Sequence, residues 1–278
     1  MTTDLHSVNI SKEALFDIIL AGLEAYAIKH DGQDVVAIET FAHMWGRTNK
    51  NLPFKCYVDH LTPETSAART RGSVTASDIS LELKQDIAAI FGKGFEYIGT
   101  MHSHPYLKVE QGEKGEVYEY DAKTIRKKKF YQCSDTDHKS EFTSSTVTVG
   151  KRKYSVAVIL TVHAMDRARD ELDGAIDEQV FEFSLGNLKM WLFAQVFEHV
   201  DSDDLTDQDV SEFGKFELDI KKFDDEFTFP IPVSTKLNCE ALGTSGFLLD
   251  GFGRLKISDK DSLYTNKKQA EKRFWHKM

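Results

Sequence analysis

The sequence predicts an α/β (α+β) chain, a central mixed β-sheet flanked by helices with a β-rich C-terminal extension. Three observations carry that expectation. Helical stripes and strand-like apolar runs are interspersed between residues 11 and 200, as in chains whose helices cover a sheet. The run Tyr154–His163 is almost wholly apolar over strand length, which marks a buried strand. Past residue 200 the composition turns acidic and then Phe-rich, setting the last third apart from what precedes it.

Taken in order, Ser11 is a suitable N-cap for a helix reaching about His30, with Leu15, Ile19, Leu23 and Tyr26 at helical spacing and Asp31-Gly32 as its stop. Val35–Trp45 reads as a buried strand, Phe54–Leu61 as a second, and Ser73–Ala76 as a short third. Ser80–Phe91 is an amphipathic helix (Leu81, Ile87, Ile90, Phe91) closed by Gly92. Phe95–His104 is read as a strand that Pro105 terminates. Residues 106–133 are polar and charged. Within them, Tyr106–Val109 and Glu116–Tyr120 flank Gly112 and Gly115, which predicts a β-hairpin.

After the Tyr154–His163 strand, Val180–Phe183 is expected as another strand and Asn187 to about Val200 as an apolar-faced helix. Residues 201–212 read as an acidic linker. Beyond them come Phe213, Phe216, Phe223, Phe227 and Phe229, an Asp250-Gly251 turn between Leu248-Leu249 and Leu255-Lys256-Ile257, and a short basic helix at the end. The expected organisation is one domain over 1–200 with an insertion at 106–133, then an extension over 201–278.

Composition narrows the function classes. Hydrophobic residues at 41% and charged residues at 29% are those of an ordinary globular protein. No apolar run is long enough to span a bilayer, and the N-terminus has no signal pattern, so no membrane role is expected. Cys56, Cys133 and Cys239 are too few and scattered for a disulfide framework or a cysteine zinc site, which makes a cytoplasmic location the default. A net charge of −10 argues against general nucleic-acid binding. The basic runs Arg126–Lys129 and Lys151–Lys153 are read as solvated turns.

The chemistry centres on His102-Ser103-His104-Pro105, then Ser134-Asp135-Thr136-Asp137, with Glu39 upstream. Histidines two apart on a strand point to the same face. Asp137 can complete a three-ligand set that leaves one position for water, as catalytic zinc uses, with Glu39 left over as a base. Each residue also has a plain structural reading. Ser134 and Asp137 outline a helix-start capping box, and a lone His-x-His carries little weight. Glu39 is harder to set aside, because a carboxylate in an apolar strand is costly unless paired.

Together these segments resemble the JAMM (MPN+) metalloproteases, JAB-domain zinc enzymes of the deubiquitinase-like isopeptidase type. The stretch Glu39–Gly46 (ETFAHMWG) resembles that family's first-strand motif, His102–Pro105 its His-Ser/Thr-His-Pro segment, and Ser134-x-x-Asp137 its closing motif. The similarity spans about residues 11–200. It implies the MPN/JAB, cytidine-deaminase-like layering, one Zn2+ per chain on His102, His104 and Asp137, Glu39 as general base, and Ser134 as oxyanion donor. It further implies an isopeptidase acting on ubiquitin or a ubiquitin-like protein and its conjugates, with conjugation enzymes of the same pathway as partners. Two other functions stay open, a non-catalytic scaffold that binds protein partners and a nucleic-acid-processing or phage-assembly relative. One departure stands out: residues 105–133 between His104 and Ser134 far exceed the family's short spacer. This insertion is either an inert surface loop or, since both its ends are pinned beside the ligands, a lid or wall of the site.

Overall fold

The computed structural model describes residues 5–28, 36–70, 72–111, 116–166, 172–216, 223 and 227–243. In chain order the elements are β1 (His6–Ile10), α1 (Lys12–Ala27), β2 (Phe41–Thr48), β3 (Lys55–Pro63), the short pair β4 (Ala68–Arg69) and β5 (Val74–Thr75), α2 (Asp78–Phe91) and β6 (Glu96–Tyr106). Then follow the hairpin β7 (Val109–Gln111) and β8 (Val117–Glu119), α3 (Ala122–Lys128), α4 (Asp135–Glu141), β9 (Val147–Val149), β10 (Arg152–Ala164), β11 (Gly174–Ala175), β12 (Val180–Leu185) and β13 (Leu188–Val200). A 3-10 turn (Ser202–Asp204), α5 (Asp207–Lys215), β14 (Phe229–Val233), β15 (Thr235–Asn238) and α6 (Glu240–Gly243) complete it.

These form a mixed sheet in the order β11-β12-β13-β10-β6-β2-β3-β1-β15, with helices against its faces. The sheet curls. β14 pairs with the end of β13 while β15 pairs parallel to β1, so a few consecutive residues bridge two distant strands. Thr235 seals the junction: its Oγ1 accepts from the Val196 N–H at 3.0 Å. The segment past residue 201 thus contributes strands to the same sheet as β10.

Helix α1 begins as the sequence implies, with the Ser11 hydroxyl accepting from the Ala14 N–H at 3.1 Å. Its buried residues Leu15, Ile18 and Ile19 belong to the main core together with Val156, Val158, Leu160 and Val162 of β10 and Leu188, Met190 and Leu192 of β13. Gly22 permits the close approach, since a Cβ there would lie 2.6 Å from Leu160 Cδ2. The Tyr26 hydroxyl ties the helix to two strand ends, donating to the Tyr106 carbonyl at 3.1 Å and accepting from the Ala164 N–H at 3.0 Å. The alternate residues of β10 and β13, Ile159, Trp191 and Phe193, face the opposite side and pack with Ile125 and Tyr131 of the insertion.

Several expectations need correction. Asn187–Val200 is not a helix but the strand β13, paired antiparallel with β10 from Ala164↔Leu188 to Lys153↔His199. Both its faces are covered, so its apolar residues do not alternate with polar ones and the period-2 signal is lost. Pro105 does not end β6, which runs to Tyr106. Pairing with β2 stops at Phe41↔His102, so the missing proline N–H falls where β6 has no β2 partner, while pairing to β10 continues. The strand predicted over Val35–Trp45 starts only at Phe41, leaving Glu39 in the lead-in segment. Residues 201–212 are not plain linker: Thr206 and Asp209 form a capping box that starts α5. The expected hairpin is formed by β7 and β8, which pair from Val109↔Glu119 to Gln111↔Val117. The Asp31-Gly32 stop, the Asp250-Gly251 turn and the terminal basic helix lie outside the described residues. Among the described residues no helix is long and apolar enough to cross a membrane.

Candidate metal centre

The site is built where β6 passes between β2 and β10. His102 pairs with Phe41 on one side and Ile159 on the other, and His104 with Thr161. Strand alternation sends both imidazoles to the face opposite α1, and both histidines are buried. Ser103, between them, points the other way and is fully buried. Its Oγ accepts from the Thr40 N–H at 3.0 Å, and its own N–H donates to the Thr40 carbonyl at 3.1 Å. These two hydrogen bonds fasten the lead-in segment of β2 to β6. Glu39 is further held by its N–H to the Thr70 carbonyl at 2.8 Å.

Asp137 arrives from the third turn position of α4. Ser134 is the N-cap, its Oγ accepting from the Asp137 N–H at 3.2 Å while Asp137 Oδ2 accepts from the Ser134 N–H at 2.6 Å. The capping box and the ligand reading of Ser134 and Asp137 are therefore compatible. The same carboxylate faces both histidines, Oδ1 at 3.1 Å from His102 Nε2 and Oδ2 at 3.2 Å from His104 Nε2. The two Nε2 atoms are 3.1 Å apart.

Three donor atoms from His102, His104 and Asp137 thus converge on one point. Tetrahedral zinc with ligand bonds of about 2.0–2.1 Å needs donors roughly 3.3–3.4 Å apart, close to what these side chains provide. Two neutral imidazole lone pairs facing each other at this distance repel unless a proton or cation lies between them. The residues fit a divalent metal, and a nitrogen–oxygen donor set suits zinc among several first-row ions.

Electrostatics agree with the geometry. Burial alone would raise the Asp137 pKa, but the charge of His102 and the hydrogen bonds to both imidazoles outweigh it and hold the carboxyl far below the usual range. For His104 burial works toward the neutral ring, yet the bond and charge of Asp137, helped by Glu39, raise its pKa. Glu39 is half-buried and its pKa is pushed up to about 7, chiefly by desolvation, with His104 opposing and Asp137 reinforcing. These couplings place Glu39 within electrostatic reach of the ligand pair.

The insertion reaches the site through Phe130. His104 Nδ1 lies 3.1 Å from the Phe130 carbonyl oxygen. Sequence inspection misses this contact, because a backbone carbonyl carries no side-chain signal. The role of Ser103 was legible in principle, as a hydroxyl on the buried side of the strand between two candidate ligands.

Other described histidines are engaged elsewhere. His43 Nδ1 lies 3.2 Å from Lys84 Nζ, within a cluster that includes buried Glu64. His60 stacks on Phe95 at 5.0 Å, and His163 Nδ1 meets the Tyr106 carbonyl at 3.1 Å. His138, next to Asp137, stacks on Phe216 at 4.7 Å. Cys133 packs beside the insertion cluster, and burial raises its thiol pKa well above the usual value. No protein-family profile and no curated protein sequence matches this chain.

Chemically, the arrangement offers three metal donors, a carboxylate of raised pKa beside them, and the exposed hydroxyl of Ser134 at the rim. That set suits hydrolysis of a carbonyl compound by metal-assisted acid–base chemistry.

Proposed function

We propose that this chain is a zinc-dependent isopeptidase of the JAMM/MPN+ type that removes ubiquitin or a ubiquitin-like modifier from conjugates or precursors. One observation carries the reading: His102 and His104 on β6 and Asp137 at the start of α4 converge through atoms 3.1–3.2 Å apart, with Glu39 electrostatically coupled to them. The mixed sheet with α1 on one face and the site on the other supports the MPN/JAB layering that the motifs imply.

His102 Nε2, His104 Nε2 and the Asp137 carboxylate would hold the metal. When bound, zinc supplies a Lewis acid and makes water acidic enough to attack near neutral pH. Glu39 accepts the proton of the attacking water and delivers it to the leaving amine of the isopeptide. The buried position that raises its pKa when the cation is absent is opposed by a dication nearby, which favours the carboxylate form. Ser134 keeps its oxygen on the Asp137 N–H and turns its hydroxyl hydrogen toward the developing oxyanion. Such a donor contributes about 2.7–4 kcal/mol in comparable sites. Ser103 holds Thr40, and with it Glu39, in register with the ligand strand.

The test is cleavage of a ubiquitin-like fusion by the purified protein, with metal content measured on the same sample. The expected result is one metal per chain, with Glu39→Gln retaining the metal and losing cleavage. A folded protein that takes up no metal, or a Glu39→Gln variant with full activity, overturns the proposal.

A further inference from the structure

The insertion is anchored to the sheet more firmly than a surface loop requires. Asp121 caps α3, its Oδ1 accepting from the Thr124 N–H at 2.6 Å. Ile125 is fully buried and Tyr131 nearly so, against Ile159, Trp191 and Phe193. Between them, Arg126 grips Glu182 with both its Nε, at 2.8 Å, and its Nη2. Glu182 is 1% exposed and also accepts from Trp191 Nε1 at 2.9 Å and Lys189 Nζ at 2.9 Å. Lys189 in turn contacts Asp173. Two cations and two carboxylates balance, and every partner of Glu182 is in place, the condition under which a buried charge network is tolerated and rigid.

The chain leaves this anchor in a defined turn. Lys129 adopts the left-handed conformation (φ 55°) at the helix end, and the Phe130 N–H bonds the Ile125 carbonyl at 3.1 Å. The Phe130 ring stacks on Tyr106 at 5.5 Å. Backbone and ring together aim the Phe130 carbonyl at His104 Nδ1. A carbonyl can only accept, so Nδ1 carries the hydrogen, and in the neutral ring the Nε2 lone pair then points at Asp137 and His102.

We propose that the insertion is a positioning arm of the metal centre, in which the Arg126–Glu182 anchor and the Lys129 turn hold the Phe130 carbonyl on His104 and so fix that ligand's tautomer and ring orientation. The inference rests on the metal reading of His102, His104 and Asp137. Groups that orient ligands in this way change metal affinity by about 10–100-fold when lost.

Zinc affinity, measured by chelator competition, and the cobalt(II) absorption spectrum are compared for the full chain and three variants. Arg126→Ala is expected to weaken zinc binding about 10–100-fold and to alter the cobalt spectrum. Arg126→Lys recovers part of the affinity, since one donor replaces a two-pronged grip. Lys108→Ala removes an exposed insertion ion pair with Asp166 remote from this path and leaves both readings unchanged. In the zinc-loaded wild type, a slowly exchanging His104 Nδ1–H resonance is expected, and this decides the matter should Arg126→Ala fail to fold. Wild-type affinity in a folded Arg126→Ala variant, or rapid Nδ1–H exchange in the wild type, overturns the inference while leaving the metal site intact. Absence of zinc binding in every form, wild type included, overturns the metal reading and this inference with it.

Discussion

Ser103 and Thr40 exchange two hydrogen bonds, Thr40 N–H to Ser103 Oγ at 3.0 Å and Ser103 N–H to the Thr40 carbonyl at 3.1 Å. The residue between the two candidate ligands thereby positions the residue after the candidate base. Ser103→Ala leaves the Thr40 N–H buried without its acceptor, at a cost of about 1–3 kcal/mol. Glu39 then loses its register while the ligands keep theirs. The expected outcome is unchanged metal content with cleavage slowed about 10-fold or more, the kinetic counterpart of about 1.4 kcal/mol. Parallel metal analysis and turnover measurement check it, and a variant that loses metal instead contradicts this division of roles.

Asp137 faces both imidazoles while its carboxylate closes the capping box of α4. In Asp137→Asn the amide oxygen can still accept from the Ser134 N–H, so α4 should persist, but the anionic donor is gone. Metal content should fall to a small fraction of the wild-type level, with the helix signal in circular dichroism retained. Full metal content and full activity in this variant would show the ligand assignment to be wrong.

Ile125 is fully buried in the cluster that joins α3 to β10, β12 and β13. Truncation to alanine leaves a cavity beneath the insertion and should destabilise the fold by about 2–5 kcal/mol. Urea unfolding measures this. A change under about 0.5 kcal/mol, as at surface positions, would mean the insertion does not pack on the sheet as described.

A pH dependence follows from a buried chain of three groups. His199 Nε2 lies 2.9 Å from Ser155 Oγ, and Ser155 donates to Glu141 Oε2 at 2.7 Å. Burial, reinforced by the charge of Lys153, lowers the His199 pKa from 6.5 to about 4. In that window the unfolded chain binds a proton at this position that the folded one does not, so the His199 contribution to stability falls as pH drops from 6.5 toward about 4, opposite in sign to that of Glu141, whose pKa burial raises to about 7. His199→Gln cannot take up that proton, so its stability should decline less steeply over the same range. Chemical denaturation of both proteins at pH 7, 6, 5 and 4 tests this. Equal slopes would remove His199 as the source.

What the sequence determines by itself is local. Spacing of two puts His102 and His104 on one strand face, Ser11 starts α1, and Ser134 with Asp137 builds a helix start, because each depends on residues within a turn or a pleat of one another. The tertiary structure decides the rest. Residues 188–200 are a strand because β10, β12 and β14 offer them hydrogen-bond partners and both faces are covered, conditions that lie far away in the chain. Glu39 reaches the site through Thr40 and Ser103 rather than from within β2, and Phe130 reaches His104 through a carbonyl that any residue would carry. The ligand types are written in side chains, but their alignment depends on backbone groups brought together only by pairing and packing over long sequence separations.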